Sequence, residues 1–240
     1  MNPETAICRA QVYRFLSDAF LYPDENWLDD LPSLQTILFQ LGMETLLQTC
    51  NLEASEQHFT LEGLQAEHRR VFGLSGSLCY ETEYGLPHEY RQSQELADIS
   101  GFYRAFGFNV GGEVRERPDY IATELEFMYV LALKEAWALV QGRDEWLEVT
   151  LQAQRRFLEG HLGRWLALFA ASVLHLSGES EKVQTFSPYV ALAQLAATFV
   201  QSEAERIGAQ VQSLPLSGVA HTPLGAEISC GDCAIGLKSA

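Results

Sequence analysis

Apolar residues recur every three or four positions along most of this chain, and this spacing constrains the fold more than any other feature. The first segment shows the pattern clearly, with an apolar stripe formed by Ala6, Ile7, Ala10, Val12, Phe15, Leu16, Ala19 and Phe20. Such a period places one face of an α-helix against a core. No stretch alternates apolar and polar residues in steps of two, and no Asn-Gly hairpin turn occurs. The sequence therefore predicts an all-α protein.

Proline and glycine residues indicate where the helices begin and end. Asn2-Pro3 is a cap followed by a first helical position, Pro23 ends that helix, and Gly73 and Gly142 close later ones. The predicted helices span residues 3–22, 26–42, 60–73, 90–107, 118–140, 143–159, 161–176 and 187–211. Residues 73–89 form the longest irregular interior stretch, and long loops in compact domains are often functional.

The chain is long enough to form one sizeable core, because it has 240 residues of which 47% are hydrophobic. No interior linker divides it. From Ser213 onward the sequence contains proline, glycine and serine without a helical period. We therefore predict a single-domain helical bundle over residues 1–212 and a flexible tail over residues 213–240.

The charge balance is strongly acidic, with 32 Asp+Glu against 16 Lys+Arg and a formal net charge of -16. Such a surface repels phosphate, so we expect neither nucleic acid nor an anionic membrane as partner. It favours a cationic partner such as a basic peptide segment, although the charge also serves solubility. No apolar stretch reaches the roughly 20 residues that a spanning helix needs. The opening residues show no export signal and the five cysteines are sparse, so we expect a reduced, cytoplasmic protein.

Motifs typical of metal or nucleotide chemistry are missing from the sequence. None of the six histidines follows a glutamate by three positions, which a carboxylate-bridged di-metal bundle requires. There is no H-E-x-x-H, no P-loop and no G-x-G-x-x-G motif. We therefore expect no di-metal centre and no nucleotide as cofactor.

One Cys-x-x-Cys pair, Cys230 and Cys233, lies in the predicted tail. It supplies two thiolates, which is half of a four-ligand zinc site. His221, a second chain or a partner protein would have to complete that site, and a redox role is the other interpretation. A metal-binding or redox accessory protein is therefore the alternative function.

The segment "ERPDYIATELEFM" (116–128) places acids on an otherwise apolar helix. Pro118 suits a first helical position, and Asp119 is either a helix-start device or a binding residue. Tyr120 and Glu124 follow on one helical stripe. An aromatic residue beside acids suits the binding of a segment that is both apolar and basic. In the 73–89 loop, Tyr80 and Tyr84 alternate with glutamates, Glu83 among them, and repeat this chemistry.

These residues resemble those of the TorD/DmsD/NarJ family of all-helical chaperones for molybdenum oxidoreductases. The family pattern of Pro-Asp followed by Glu-Leu is similar to Pro118-Asp119-Tyr120 … Glu124-Leu125, although many members have His where this chain has Tyr120. The pattern aromatic-x-x-Leu-Phe is matched loosely by "HRRVF" (68–72), and "RAQVYRFLSDAFLYPDE" is similar to the family's first helix. The stretch "YETEYG…QELADISGFYRAFGF" resembles the branch that serves dimethyl sulfide, ethylbenzene, selenate and chlorate enzymes.

The resemblance covers roughly residues 6–200 and implies a function without catalysis. Such chaperones hold the apo catalytic subunit until its molybdopterin cofactor is inserted, and many bind its twin-arginine leader peptide. The resemblance implies a monomer or homodimer whose partner is that subunit. Partner-binding candidates are Phe72, Tyr80, Glu83, Tyr84, Pro118, Asp119, Tyr120 and Glu124.

Overall fold

The described part of the chain is all-α. The computed structural model describes residues 2–52, 59–73, 79–85, 90–111, 116–177 and 187–214. Within these ranges the α-helices are α1 (Pro3–Phe20), α2 (Leu31–Gln40), α3 (Leu46–Thr49), α4 (Leu61–Phe72), α5 (Arg91–Ala105), α6 (Ile121–Val140), α7 (Asp144–Gly160), α8 (Leu162–Leu176) and α9 (Pro188–Ile207). Short 3-10 turns lie at Trp27–Asp30 and Glu81–Glu83. The predicted fold class is confirmed.

Local chemistry accounts for several of the helix ends. The Asn2 side chain accepts a hydrogen bond from the Glu4 amide and Pro3 occupies the first turn of α1, as predicted. Helix α9 ends at Ile207, four residues earlier than predicted, because Gly208 adopts a left-handed conformation with φ 67°. The short helix α3 was not predicted, since four residues carry too little periodic signal.

Helix α6 begins at Ile121, so the prediction of Pro118 as its first residue is wrong. Pro118 and Asp119 form a turn in which the Tyr120 amide donates to the Arg117 carbonyl. The Ile121 amide then donates to the carbonyl of Cys79, on a segment distant in sequence. A tertiary backbone contact therefore sets the start of α6, and Asp119 lies ahead of the helix.

Helices α1 and α6 form the centre of the bundle and pack most extensively against each other. Ala10 on α1 and Ala132 on α6 are buried, and the Ser17 hydroxyl of α1 donates to the Ala122 carbonyl of α6 at 2.8 Å. Helices α8 and α9 cover one side of the pair. Aromatic side chains fill the space where α1, α4, α8 and α9 meet, namely Phe20, His68, Phe72, Phe169 and Tyr189.

A buried ion cluster crosses the same core. The Arg9 guanidinium of α1 contacts the Glu135 carboxylate of α6 and lies 3.3 Å from Glu203 of α9. Arg206 pairs with Glu203 at 2.9 Å, and Gln154 of α7 donates to Glu135 at 2.9 Å. Four helices are therefore tied together by groups whose charges cannot be left unpaired in the interior.

Residues 215–240, which make up most of the predicted tail, lie outside the described residues. The proposed boundary at residue 212 and the flexibility of the tail therefore stay predictions. In the ranges that the structure describes, no helix combines the length and apolarity needed to cross a membrane.

Candidate functional site

The segment of residues 79–85 docks against the residues that precede α6. Tyr80 and Tyr120 form an isolated antiparallel bridge. The Glu81 amide donates to the Asp119 carbonyl and the Ile121 amide donates to the Cys79 carbonyl, both at 2.9 Å. This pairing brings the two stretches that the sequence singled out into one site.

The Asp119 side chain fixes this docking. Its Oδ2 accepts hydrogen bonds from the Thr82 hydroxyl at 2.8 Å and the Thr82 amide at 3.2 Å. The Arg117 guanidinium donates to both carboxylate oxygens, at 2.9 and 2.7 Å. Asp119 is fully buried, so all of its acceptor capacity serves internal partners. We call Arg117, Asp119 and Thr82 the Asp119 clamp.

Arg117 extends the clamp towards the surface. Its Nη1 donates to Glu83 Oε1 at 3.1 Å, and its guanidinium lies 4.2 Å from the centroid of the Tyr80 ring. Burial raises the pKa of Glu83, and the nearby Arg117 charge opposes that rise. The positive charge of Arg117 is thus surrounded by two carboxylates and an aromatic face, which is a favourable environment for a guanidinium.

Aromatic residues form the outer part of the site. The Tyr120 hydroxyl donates to the Phe20 carbonyl at 2.9 Å, and its ring lies 5.5 Å from that of Tyr80. Phe20 in turn contacts Phe72, with ring centroids 6.2 Å apart. The Pro118 carbonyl accepts a hydrogen bond from the buried Tyr103 hydroxyl. Phe72, Tyr80, Pro118 and Tyr120 all keep part of their surface accessible.

Beneath this surface lies a second group of polar residues, the acid cluster of Glu81, Glu124 and His161. Trp165 Nε1 donates to Glu124 Oε2 at 3.2 Å. His161 Nδ1 lies 3.2 Å from Glu81 Oε2, and its Nε2 lies 3.3 Å from the exposed carboxylate of Asp98. All three members of the cluster are buried.

The environment of Glu124 favours its neutral, protonated form. Burial raises its pKa well above the usual value, and the charge of Glu81 raises it further. As a carboxylate, Glu124 Oε1 has no hydrogen-bond donor among the described residues, whereas the acid form donates to Glu81. In its protonated form Glu124 therefore links α6 to the 79–85 segment.

The surroundings of His161 favour its protonated form. Its burial disfavours protonation, but hydrogen bonds and charges from Glu81 and Asp98 outweigh that effect and raise its pKa. The Glu81 side chain thus lies between Glu124 and His161. This arrangement offsets the cost of burying acidic side chains.

The structure brings the predicted site residues into one region but divides them by exposure. Tyr80, Glu83, Pro118, Asp119 and Tyr120 are in mutual contact through the bridge and the clamp. Glu124 and Tyr84 lie on the inner side, where the Tyr84 ring packs 5.2 Å from Trp165. Phe72 joins the group through Phe20. Asp119, Tyr84 and Glu124 are fully buried, so none of them contacts a partner in this conformation.

Sequence reasoning missed several residues of the site. Arg117 directly precedes the Pro-Asp pair, and its proximity was a usable signal for an internal ion pair. Thr82, Trp165 and His161 gave no such signal, because their contacts with Asp119, Glu124 and Glu81 cross 37, 41 and 80 residues of chain.

No cluster of three or more histidine, cysteine, aspartate or glutamate side chains suited to a metal occurs in the described ranges. Cys230 and Cys233, proposed from the sequence as half of a zinc site, lie outside those ranges, as does His221. Their role stays a prediction.

Comparison with known proteins places the chain in a family. The model of the nitrate reductase delta subunit family matches residues 34–171. The perchlorate reductase assembly chaperone protein of Dechloromonas aromatica is 37% identical over 47% of this chain and 46% of its own length. The chlorate reductase assembly chaperone protein of Ideonella dechloratans is 30% identical over 67% of this chain and 74% of that relative.

A third relative, the selenate reductase assembly chaperone protein of Thauera selenatis, is 31% identical over 65% of this chain and 76% of its own length. The alignment with the perchlorate reductase protein thus spans less than half of that relative, whereas the other two span about three quarters. The family match covers the segment 79–85, the Asp119 clamp and the acid cluster. The chain therefore belongs to the nitrate reductase delta subunit family, the TorD/NarJ group that its Pro-Asp and Glu-Leu motifs resemble.

Proposed function

We propose that this protein is a cytoplasmic assembly chaperone, without catalytic activity of its own, for a molybdenum oxidoreductase. It binds the apo catalytic subunit and holds it until the molybdopterin cofactor is inserted. The observation that carries the proposal is the similarity to three relatives that are each named as assembly chaperones of a reductase. The site adds support, because its polar groups are engaged with one another instead of converging on a substrate cavity.

The partner contacts an accessible surface formed by the rings of Phe72, Tyr80 and Tyr120 together with Pro118. We call this the aromatic surface. These side chains expose apolar area next to Arg117, whose side chain is 28% exposed, whereas the Glu83 carboxylate is buried. Asp119, Tyr84 and Glu124 act indirectly, by holding the 79–85 segment in the position that presents this surface. A rigid, pre-formed surface binds a flexible segment with a smaller loss of conformational freedom.

The twin-arginine leader of the client is the segment proposed to bind. Such a leader has two adjacent arginines followed by an apolar stretch, and the chaperone has a formal net charge of -16. Long-range attraction accelerates the encounter, and the aromatic surface provides apolar contacts once the leader has arrived.

The chaperone function is tested by deleting the gene in its own host. The activity and molybdenum content of each molybdenum oxidoreductase are then measured in the deletion strain and in a strain complemented with wild-type protein. We expect one enzyme to lose most of its activity and to accumulate as apo-protein. Unchanged activity and metal content of every such enzyme would contradict the proposal.

The aromatic surface is tested on the affected enzyme with the variant Tyr80→Ala. This change removes an accessible ring and leaves the Asp119 clamp in place, and we expect weaker co-purification of the catalytic subunit. Trp137→Ala is the matched control, because Trp137 is 54% exposed on α6 and lies outside the site. Equal loss of co-purification in Tyr80→Ala and Trp137→Ala would contradict the assignment of the aromatic surface. It would leave the chaperone function itself unaffected.

A further inference from the structure

An open groove lies between α1, α2 and α6 and shares no lining residue with the Asp119 clamp or the acid cluster. Its volume is about 290 Å³. The lining residues are Gln11, Arg14, Phe15, Asp18, Trp27, Asp30, Ser33, Leu34, Ile37 and Tyr129. We call this concavity the α1–α2–α6 groove.

The floor of the groove is apolar and well supported. The rings of Phe15 and Trp27 pack edge to face with centroids 6.0 Å apart. Leu34 is buried beneath the groove, and Ile37 and Tyr129 are half-buried at its sides. Such a floor offers apolar area to an incoming side chain without rearrangement of the core.

The rim of the groove is acidic. Asp18 and Asp30 are exposed, and the Asp30 side chain makes no capping hydrogen bond to α2. The single cation in the lining, Arg14, donates to Asp18 at 2.6 Å and lies over the Tyr129 ring at 5.8 Å. Two carboxylates therefore face one guanidinium that is already paired, and the groove keeps a net negative charge.

We propose that the α1–α2–α6 groove binds an amphipathic polypeptide segment that inserts one or two apolar side chains and places a basic residue beside Asp18 and Asp30. The identity of the partner as part of the client subunit rests on the proposed function. The groove itself is a second contact region, separate from the aromatic surface at Tyr80 and Tyr120.

The size and charge of the groove select this occupant over others. A volume near 290 Å³ lies at the lower limit of small-molecule pockets, which run from about 300 to 1,000 Å³. It suits anchor side chains of a longer segment better than a whole ligand. The carboxylates at the rim repel phosphate and favour lysine or arginine. An apolar floor with a charged rim is also the usual arrangement of peptide grooves that accept helices.

The test uses the full chain and two fluorescent synthetic peptides. Both peptides carry leucine and phenylalanine at helical spacing, and they differ only in two arginines that are replaced by glutamates in the second. Dissociation constants are measured by fluorescence anisotropy. Because the whole protein is acidic, any basic peptide is attracted, and the variants therefore decide the question.

Two variants change the groove and two controls match them. Asp18→Asn combined with Asp30→Asn removes the rim charge, and Glu44→Gln combined with Glu148→Gln removes equal charge from exposed positions elsewhere. Ser33→Trp fills the groove from an exposed helical position, and Thr36→Trp places the same bulk on α2 outside the lining.

We expect Ser33→Trp to weaken binding of the basic peptide by about tenfold or more, which corresponds to about 1.4 kcal/mol of binding free energy. The rim double variant weakens it more than its charge-matched control, and its residual binding depends less on salt. Both controls bind as the wild type does.

Equal affinity of the groove variants and their controls would overturn the groove assignment while leaving the chaperone function intact. Failure of the basic peptide to bind, or equal binding of both peptides, would overturn it too. If Ser33→Trp instead dissociates a dimer of the wild type in sedimentation velocity, the groove binds a second copy of this chain and the proposal is wrong. Loss of client maturation is measured separately by the gene deletion, so the two failures are distinguishable.

Discussion

Carboxylates occur beside aromatic side chains in two regions of this protein, and the two regions use them in opposite ways. At the Asp119 clamp and the acid cluster, Asp119, Glu81 and Glu124 are buried and bonded to internal groups. At the α1–α2–α6 groove, Asp18 and Asp30 face solvent. Buried carboxylates fix a conformation because leaving one unpaired is costly, whereas exposed ones, even when paired as Asp18 is with Arg14, contribute little to folding and can attract a partner.

The largest effect on stability is expected at Asp119. Replacing Asp119 with alanine removes the acceptor of the Thr82 amide and hydroxyl and two hydrogen bonds of Arg117, and we expect a loss of about 3 kcal/mol in the free energy of unfolding. Urea denaturation measures it. Asp119→Asn, which keeps an acceptor for Thr82, should lose less. A change below about 1 kcal/mol in Asp119→Ala would show that the clamp does not hold the segment.

Glu124 gives the next effect, and it depends on pH. Alanine at this position removes the acceptor of Trp165 Nε1 and the donor to Glu81, which costs about 1–3 kcal/mol. Glutamine keeps both hydrogen bonds and cannot ionise, so at pH 5 we expect Glu124→Gln to be nearly as stable as the wild type. Thermal unfolding followed by circular dichroism distinguishes the two variants.

The pH dependence itself follows from the raised pKa of Glu124. A carboxyl group whose pKa is higher in the folded state binds more protons when folded, so its contribution is complete below the unfolded value of about 4.5 and is lost as pH rises through the folded value. The raised pKa of His161 acts in the same direction. Wild-type stability should therefore fall from pH 5 towards alkaline pH, and Glu124→Gln should fall less steeply. Parallel curves would contradict a raised pKa of Glu124 in the folded protein.

Tyr120 should give a smaller effect on stability. Tyr120→Phe deletes the hydrogen bond to the Phe20 carbonyl and keeps the ring, at a cost of about 1 kcal/mol. Because the accessible ring remains, co-purification of the client should be unchanged. Loss of client binding in this variant would show that the hydroxyl, and not the ring, is recognised.

Asp18 should give the smallest effect on stability. Its pair with Arg14 is about half exposed on both sides, so Asp18→Asn should change the free energy of unfolding by less than about 1 kcal/mol. The same variant should weaken binding of the basic peptide. If Asp18→Asn lowers the free energy of unfolding strongly and leaves peptide binding unchanged, Asp18 acts as a structural residue, as Asp119 does, and not as a binding residue.

The fold could be predicted from the sequence to a large extent because helix formation is local. The apolar period and the proline and glycine signals predicted each of the longer helices, α1, α2 and α4 to α9. The starts of α2 and α6 are the exceptions, because the 3-10 turn Trp27–Asp30 precedes α2 and α6 begins only at Ile121. Pro118 has the local chemistry of a helix start, but the backbone of residues 79–81 binds residues 119–121 and delays the helix.

The candidate site could be predicted only in part. Motif and aromatic pattern identified the two segments that meet at the Tyr80–Tyr120 bridge. The exposure of its acidic side chains could not be predicted. Asp119 and Glu124 are buried against Thr82 and Trp165, and the pattern of one helix does not indicate partners so distant in the sequence. The α1–α2–α6 groove was missed for a related reason: its lining residues come from separate helices and form no motif.

The buried position of Arg9 has a consequence for biosynthesis. Its guanidinium lies on the first helix, whereas its partner Glu135 follows 126 residues later and Glu203 later still. While the ribosome is still making the second half of the chain, that cation must stay hydrated, and the amino-terminal helix cannot settle into its final place. A chain that is truncated before α9 should therefore be prone to aggregation and should depend on other folding factors, even after its earlier helices have formed.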